Sequence, residues 1–400
     1  DKLQVLSVDA GDGPVQVVCG APNARAGMLG VFGPPGAYVP GSAMTLKVAA
    51  IRGVTSHGML CSVRELELGD EHDGIIELPE DAPVGAPFAA YAGLDDPVFD
   101  VAVLPNRPDC MGVRGIARDL AAAGMGALKP LAVPKIEGGF PCPVPITIDD
   151  RDGCPAFFGR TIRGLRNGGS PDWLQQRLKS AGQRPISAVV DITNFVMLDL
   201  GRPGHAYDIA TLSGGLVARA ARDGESVLAL NGKDYALAPF MTVIADDAAV
   251  HDIGGIMGGE HSGVTEATTD VLLEVAYFTP ERIARTGQAL SLTSDARARF
   301  ERGADPAFLD DGLAILTGLI LDICGGEASE AIRAGDPPVA AKRVKFDPAR
   351  TLALGGVDLP EERQRAILAS LGFAVDNGEA VVPSWRPDVD GPADLVEEIT

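Results

Sequence analysis

The sequence of 400 residues has few of the features from which disulfide, zinc or membrane sites are built. Its 6 cysteines include no C-x-x-C pair, which argues against a disulfide framework and against a zinc ribbon. No apolar run approaches the roughly 18 residues of a membrane span, and the N-terminal DKLQVLSVDAG has no charged-then-apolar signal pattern. We therefore expect a cytoplasmic protein without a membrane partner.

Basic residues are also scarce, since 34 Lys and Arg stand against 55 Asp and Glu for a net charge of -21. Neutralising phosphates requires clustered Lys and Arg, so this balance disfavours nonspecific binding of nucleic acid. The phosphate-binding loop G-x-x-x-x-G-K-[ST] is absent, and GGEHSG lacks its lysine and its spacing. The composition thus limits any nucleic-acid contact to local patches or to a partner subunit.

The patterns that are present indicate several folded segments. From 1 to 90, short apolar runs such as LQVLSV and VQVVCG alternate with glycine and proline turns, which predicts a small β barrel. A connecting segment, 91–130, contains a helical pattern over 107–124, and a linker rich in Pro and Gly follows at 130–145. At about 150 residues per domain, the length fits two to four domains.

Two further segments, 146–332 and 343–400, mix helices with strands. The longer one has three local signals, which are a helix capped at Ser170-Pro171, a hairpin turn at Asn231-Gly232 and an apolar helix from Asp305-Pro306 to Cys324 that stops at Gly325-Gly326. The shorter one has a helix over 360–371, stopped by Gly372, and a hairpin turn at Asn377-Gly378. We assign the chain to the multidomain α+β class.

Six blocks stand out in order along the chain. They are DGIIELPEDAPVG from Asp73, LPNRPDCMGVRGIARDLAAAG from Leu104, VVDITNFVMLDLGRPGHAYD from Val189, IGGIMGGEHSG from Ile253, SLTSDARARFERGADP from Ser291 and PSWRPDVDGPADLVEEI from Pro383. In this order they resemble one family, the bacterial phenylalanyl-tRNA synthetase (phenylalanine-tRNA ligase) β subunit. Chance similarity does not produce six such blocks in order over nearly the whole chain.

The resemblance implies a domain order. Segment 1–90 would be a tRNA-binding domain with an OB-fold barrel whose opening strand precedes Asp1, and 146–332 would be the editing domain. Segment 343–400 would be a small helix-plus-hairpin module similar to DNA-binding folds, running into the start of a catalytic-like domain. The barrel carries five basic residues against eleven Asp and Glu. Weak tRNA contact and a folding or docking role therefore both stay open.

The resemblance also implies an editing pocket. A pocket shaped for phenylalanine cannot strongly reject tyrosine, which adds only a hydroxyl, and a second, hydrolytic site is the usual remedy. In the family, the central domain of the β subunit removes tyrosine wrongly attached to tRNA. The positions of this sequence that match its motif residues are Arg184, His205, Gly258, Glu274, Ser294 and Ala296.

The residue types at these positions suit that chemistry. Glu274 is a carboxylate in the apolar run VLLEVAYF, and a phenolic hydroxyl would supply the hydrogen-bond donor it needs. Gly258 and Ala296 would leave room for the ring and its para hydroxyl. His205 would position the tRNA 3′ end or polarise water, while Arg184 would hold a phosphate or the terminal ribose.

One position departs from the family, because Ser294 stands where a threonine is expected. The hydroxyl is kept and the methyl is lost, which predicts an active but looser pocket. Structural alternatives stay open for three other positions, which are a turn for Gly258, a satisfied core residue for His205 and a structural ion pair for Glu274.

Four carboxylates, those of Asp388, Asp394, Glu397 and Glu398, fall within eleven residues near the C-terminus. Such a cluster repels itself unless a cation or an arginine intervenes. The four positions match the magnesium-binding carboxylates of the family's β subunit, so the resemblance implies Mg²⁺ here. A solvated acidic helix start is the alternative.

We expect this chain to act within a heterotetramer of two α and two β subunits that attaches phenylalanine to tRNA(Phe) at the expense of ATP. The resemblance implies that the α subunit binds ATP and phenylalanine, so this chain would carry editing hydrolysis and no aminoacyl-adenylate chemistry. Two alternatives stay open, a tRNA-binding or scaffold protein with an inactive editing site and a free-standing aminoacyl-tRNA deacylase.

Overall fold

The computed structural model of the chain describes residues 3–400 and contains both helices and strands, so the chain is of the mixed α+β class. It divides into two compact units, the first ending at Val98 and the second spanning Phe99–Thr400. In the described range no helix combines the length and the apolar character needed to cross a membrane. This division is coarser than the four predicted segments, whose boundaries stay predictions.

The first unit is built from short antiparallel strands. They are β1 (Gln4–Asp9), β2 (Pro14–Cys19), β3 (Leu29–Gly30), β4 (Phe32–Gly33), β5 (Tyr38–Val39), β6 (Met44–Thr45), β7 (Ala49–Ile51), β8 (Val54–Ser56), β9 (Met59–Leu60) and β10 (Glu77–Leu78), followed by the short helix α1 (Phe88–Tyr91). Within residues 3–98 they pair as the ladders β1-β2, β3-β10, β4-β9, β5-β6 and β7-β8. Closure of these ladders into an OB barrel stays a prediction, and the opening strand expected before Asp1 lies outside the described residues.

The second unit contains the longer helices and two larger sheets. Its helices are α2 (Val113–Ala122), α3 (Asp172–Ser180), α4 (Ala188–Leu200), α5 (Pro280–Ala289), α6 (Asp295–Phe300), α7 (Leu309–Cys324), α8 (Glu361–Ser370) and α9 (Pro392–Ile399). Its strands are β11 (Ile146–Ile148), β12 (Ala156–Arg163), β13 (His205–Asp208), β14 (Leu216–Ala220), β15 (Ser226–Leu228), β16 (Asp234–Ala236), β17 (Thr242–Ala245), β18 (Val250–Ile253), β19 (Met257–Gly258), β20 (Val271–Tyr277), β21 (Glu327–Ala328), β22 (Ile332–Gly335), β23 (Arg343–Lys345), β24 (Ala374–Asp376) and β25 (Glu379–Val381).

The two larger sheets enclose the main apolar core. One has the strand order β13-β20-β12-β21 with β22 also paired to β12, and the other has the order β11-β14-β17-β18-β19. Side chains from both sheets, such as Phe157, Tyr207 and Val243, belong to one buried cluster, so the sheets face each other across it. The opposite face of β12 and β20 packs against α3, α4 and α7. This arrangement leaves β13, β18 and β19 at the edge where the candidate site lies.

Three details of the predicted helices differ from the structure, namely the start of α2, the cap of α3 and the start of α7, which begins at Leu309 after a 3-10 turn at Pro306–Phe308. The helix expected over 107–124 begins at Val113, because Gly112 adopts an extended conformation that separates it from a 3-10 turn at Pro108–Met111. Helix α3 begins at the predicted place, but Ser170 does not cap it. The Ser170 hydroxyl donates instead to Asp191 Oδ2 at 2.5 Å. The difference at Ser170 arises from a contact with a residue 21 positions away, which local sequence does not encode.

The predicted helix stops and hairpin turns are present. Helix α7 ends at Gly325, whose φ of 72° favours glycine. The turn at Asn231-Gly232 joins β15 to β16, and the turn at Asn377-Gly378 joins β24 to β25. Strands β23, β25 and β24 form a three-stranded sheet that shares a separate apolar cluster with α8 and α9.

Candidate functional site

His205 and Glu274 are direct neighbours across two antiparallel strands. Strand β13 pairs with β20 so that His205 lies opposite Glu274. The Glu274 residue is only 6% exposed, whereas 25% of the His205 side chain is accessible. The imidazole Nε2 is nevertheless buried and has no hydrogen-bond partner within residues 3–400. Glu274 is therefore the buried member of this pair and His205 the partly exposed one. The atom without a hydrogen-bond partner is His205 Nε2.

The facing sheet contributes Gly258. Strand β19 places it so that an added Cβ would lie 2.6 Å from His205 Cε1 and 3.0 Å from Leu230 Cδ1. The first distance is shorter than carbon atoms in contact allow, so any side chain here must displace the imidazole. Close approach of the two sheets, rather than a special backbone conformation, is the reason that glycine suits this position.

Helix α6 contributes Ser294 and Ala296. The Ser294 hydroxyl accepts a hydrogen bond from the Arg297 backbone N–H at 3.0 Å and donates one to the Ile256 carbonyl at 2.6 Å. Ser294 is thus the N-cap of α6 and ties that helix to the turn before β19. Ala296 is half-buried and packs against the apolar core. The hydroxyl that Ser294 shares with threonine has a structural use in this position.

We expect Ser294→Ala to destabilise the protein by about 1 kcal/mol, because it removes the helix cap and leaves the Ile256 carbonyl without its donor. Ser294→Thr should retain stability, since threonine offers the same hydroxyl. Thermal unfolding of the two variants beside wild type measures both effects. Equal melting temperatures for all three proteins would show that the cap contributes nothing.

Arg184 lies in the exposed loop after α3 and has no hydrogen bond or ion pair within residues 3–400. Its neighbour Gln183 donates from Nε2 to Asp295 Oδ2 at 2.8 Å, which holds this loop beside the start of α6. The structure therefore gathers all six predicted site residues in one region. His205, Gly258 and Glu274 form its centre, and Arg184 is at its edge.

Tyr207 and Asp252 belong to the same centre, although sequence reasoning did not select them. The buried Tyr207 hydroxyl contacts both Asp252 Oδ2 and Glu274 Oε2. Asp252 Oδ1 accepts a hydrogen bond from the Gly259 N–H at 3.1 Å and lies 3.7 Å from His205 Nε2. A signal for Tyr207 was present, because alternate residues of a strand share a face and Tyr207 follows His205 by two.

The electrostatics of this centre favour a neutral Glu274. Burial, together with the nearby charge of Asp252, raises the pKa of Glu274 to about 8, although the hydrogen bond from Tyr207 acts in the opposite direction. Burial and the two carboxylates also raise the pKa of Tyr207 well above its usual value. Burial and the Asp252 charge thus both favour the protonated form of the Glu274 carboxyl.

The four carboxylates predicted to bind magnesium do not converge on one point. Arg386, which is almost fully buried, donates to both Asp388 and Glu398. Asp394 accepts the backbone N–H groups of Asp390 and Gly391 at the start of α9. Glu397 is exposed. As placed, these side chains do not fit a shared ion, because an arginine occupies the centre of two of them.

A different group could in principle hold a cation. Asp109, Cys110 and Asp119 are the cluster of three potential ligands found in the described range. Arg107 already donates to both Asp109 and Asp119, at 3.0 and 2.8 Å, and Arg118 lies 3.6 Å from Asp109, so two arginines offset the two carboxylates. The geometry of the cluster is that of an ion-pair network rather than of a metal site.

Three family models match successive parts of the chain. The family described as "Putative tRNA binding domain" matches 1–87, the B3/4 domain matches 153–325 and the tRNA synthetase B5 domain matches 344–400. The candidate site lies within the B3/4 match. This combination defines the class, which is that of aminoacyl-tRNA synthetase subunits.

Curated relatives narrow the class to one family. The phenylalanine–tRNA ligase beta subunits of Novosphingobium aromaticivorans, Zymomonas mobilis and Cereibacter sphaeroides are 69%, 56% and 57% identical over the whole of this chain. The chain belongs to the phenylalanine–tRNA ligase beta subunit family. It spans about half the length of these relatives, namely 50%, 51% and 51%.

A solved N-terminal fragment of the phenylalanyl-tRNA synthetase beta subunit from Pyrococcus horikoshii is a structural neighbour. It is 16% identical, and the match covers 76% of this chain and 88% of that fragment with a TM-score of 0.38. A score of that size supports no argument about the fold.

Proposed function

We propose that this chain contributes tRNA binding and hydrolytic editing of tyrosyl-tRNA to a phenylalanine–tRNA ligase. The observation that carries the proposal is the cluster of His205, Gly258 and Glu274, in which the buried carboxyl of Glu274 lies next to the partly exposed imidazole of His205. A phenol that reaches Glu274 can hydrogen-bond to it, whereas a phenyl group would leave the buried carboxyl oxygen unpaired. The cluster would therefore distinguish tyrosine from phenylalanine by the phenolic hydroxyl.

His205 and Arg184 would act on the tRNA end of the substrate. The partly exposed imidazole of His205 can bind a ribose hydroxyl or a water molecule next to the ester. The exposed guanidinium of Arg184 can pair with a phosphate. We assign positioning to both residues, with water as the nucleophile.

Although the whole chain is acidic, one segment of it is basic and could bind RNA. Between 153 and 190 there are six Lys or Arg and one acidic residue. Lys179 and Arg184 have no ion pair in the described chain. Arg177 stacks near Trp173, whose ring is 44% exposed and can offer a base a stacking surface. Since the loop after α3 is tied to α6, this surface adjoins the candidate site.

We expect the double variant Arg177→Glu/Lys179→Glu to raise the KM for tyrosyl-tRNA by about tenfold at low salt, because two phosphate-facing charges are reversed. Rates at saturating tRNA should change little. The matched control is Lys345→Glu on β23, which reverses a charge outside the segment. If the variant and wild type have the same KM at every salt concentration, tRNA does not contact this surface.

The wider assembly is part of the same proposal. An α subunit would bind ATP and phenylalanine, and the complex would be a cytoplasmic tetramer of two α and two β subunits. The 1–90 region would be an OB-fold domain with weak tRNA contact. Magnesium binding by Asp388, Asp394, Glu397 and Glu398 stays a prediction, and it requires Asp388 and Glu398 to leave Arg386.

The test of the editing function is deacylation of tyrosyl-tRNA(Phe) by the full-length subunit with its α partner, comparing wild type with Glu274→Ala. We expect rapid hydrolysis by wild type and a loss of about tenfold or more in the variant, because the variant cannot pair with the phenol. Aminoacylation with phenylalanine serves as the control for assembly. Equal hydrolysis by both proteins would contradict the role of Glu274.

Co-purification separates the two other candidate functions. A subunit that assembles with α but hydrolyses no tyrosyl-tRNA would be a scaffold with an inactive site. A subunit that hydrolyses tyrosyl-tRNA fully without α would be a free-standing deacylase.

A further inference from the structure

Tyr207 lies at the candidate site, but the editing function proposed above gives it no role. Its ring is fully buried, and its hydroxyl lies between the carboxyl groups of Asp252 and Glu274. The ring of His205 packs edge-on against it, with centroids 4.7 Å apart. A plain core position would be filled by phenylalanine, which buries no polar atom. The hydroxyl therefore has a use at this site.

We propose that Tyr207, backed by Asp252, is a positioning residue that fixes the orientation and the proton of Glu274, so that Glu274 Oε1 alone reads the substrate's phenol. This inference rests on the editing function proposed above. It adds Tyr207 and Asp252 to the residues that determine substrate selectivity. Glu274 Oε2 contacts Tyr207, and Oε1 is left to bind the substrate.

Proton counting supports the arrangement. A tyrosine hydroxyl has one proton and can donate to only one of its two carboxyl neighbours. The other contact is favourable only when that carboxyl itself carries a proton and donates to the tyrosine oxygen. Two chains satisfy this count. In one, a protonated Glu274 Oε2 donates to Tyr207 and Tyr207 donates to Asp252 Oδ2; in the other, the extra proton is on Asp252 and both hydrogen bonds run the opposite way. The inference takes the first. The Gly259 N–H, which donates to Asp252 Oδ1, completes it.

The direction of this chain agrees with the charges that surround Glu274. Strand β13 presents His205 and Tyr207, β18 presents Asp252, and the turn before β12 presents the thiol of Cys154, whose pKa is itself raised by burial and by Glu274. No arginine or lysine pairs with Glu274 in the described chain. Burial and the charge of Asp252 both raise the pKa of Glu274, and this direction favours the chain with the proton on Glu274.

The remaining oxygen of Glu274 is the one left for a ligand. Oε1 makes no hydrogen bond within residues 3–400, whereas Oε2 is engaged by Tyr207. In a neutral carboxyl held by Oε2, Oε1 is the carbonyl-type acceptor, and it accepts the phenolic O–H of tyrosine. Phenylalanine offers no such donor. Selectivity then depends on Tyr207 as much as on Glu274.

The experiment is deacylation of tyrosyl- and phenylalanyl-tRNA(Phe) between pH 6 and 9 by the full-length subunit with its α partner. The variants are Tyr207→Phe, Glu274→Gln and Glu274→Ala, and buffer without enzyme supplies the uncatalysed rate. Tyr207→Phe should lose about tenfold or more of the preference for tyrosine, although its apolar ring fills the same space. Thermal unfolding checks that each variant is folded.

Glu274→Gln is the conservative rescue, because a glutamine amide donates to Tyr207 and presents a carbonyl oxygen in place of Oε1. We expect it to keep much more selectivity than Glu274→Ala and to show a selectivity that does not vary with pH. Wild-type selectivity should vary with pH near 8, where Glu274 loses its proton and its oxygens become charged acceptors.

The outcomes separate this inference from the function on which it rests. If wild type hydrolyses neither substrate above the uncatalysed rate, the editing function itself fails. If wild type is selective and Tyr207→Phe shows the same selectivity and the same pH profile, the inference about Tyr207 is wrong. A Glu274→Gln variant as inactive as Glu274→Ala would overturn it as well, because it would show that a charged Glu274 is needed.

Discussion

Gly258→Trp is expected to abolish tyrosine-selective hydrolysis, with a loss of roughly a hundredfold, a size typical of displaced catalytic geometry. Even the first carbon of a side chain at this position would lie 2.6 Å from His205 Cε1. The imidazole must move, and the indole would fill the space above Glu274 that the substrate ring needs. Deacylation of tyrosyl-tRNA beside phenylalanine charging measures the loss, and charging should persist.

The matched control for this variant is Gly263→Ala in the same half of the domain. A Cβ at Gly263 would lie 3.4 Å from its nearest neighbours, which is an ordinary contact, and its φ is not positive. This variant should hydrolyse tyrosyl-tRNA at the wild-type rate. If Gly258→Trp did so too, the pocket would have to lie elsewhere.

Arg202→Ala should be among the most destabilising substitutions in the second unit, lowering the free energy of unfolding by about 3–5 kcal/mol. The Arg202 side chain is 1% exposed and donates to the carbonyls of Ala276 and Asp305. Its removal leaves a cavity and takes the donor from two carbonyl groups, one buried and one partly buried. Because Ala276 follows Glu274 by two residues in β20, the same change should loosen the candidate site.

Denaturant unfolding followed by tryptophan fluorescence measures this effect cleanly. The chain has 2 tryptophans, Trp173 and Trp385, and both lie in the second unit. Arg151→Ala is the control, because Arg151 is exposed and should change stability by no more than about 0.5 kcal/mol. Equal midpoints for the two variants would show that the buried hydrogen bonds of Arg202 contribute little.

Features determined by a few neighbouring residues could be predicted from the sequence. The turns at Asn231-Gly232 and Asn377-Gly378 and the end of α7 at Gly325 depend on backbone conformations that glycine and asparagine favour. The start of α2 could not be predicted in the same way. Arg107 and Asp119 come together from twelve residues apart, and Gly112 sets the true helix start.

The candidate site was predictable only in part, for the same reason. His205, Gly258 and Glu274 were found through the family resemblance, and the structure shows why they meet, since β13 and β19 lie against β20 and β18. The contact between Tyr207 and Asp252 joins residues 45 positions apart on two different sheets. No pattern of apolar spacing predicts such a pairing. The four carboxylates predicted to bind magnesium are likewise placed by contacts that spacing does not give, since Arg386 pairs with Asp388 and Glu398. Magnesium binding itself stays a prediction.

The central claim is that this chain carries a hydrolytic site that recognises tyrosine by its hydroxyl. The most direct test is the ratio of deacylation rates for tyrosyl-tRNA(Phe) and phenylalanyl-tRNA(Phe) with the full-length wild-type subunit and its α partner at pH 7. One hydrogen bond to a buried carboxyl predicts a ratio of about ten or more in favour of tyrosine. A ratio near one would contradict the account.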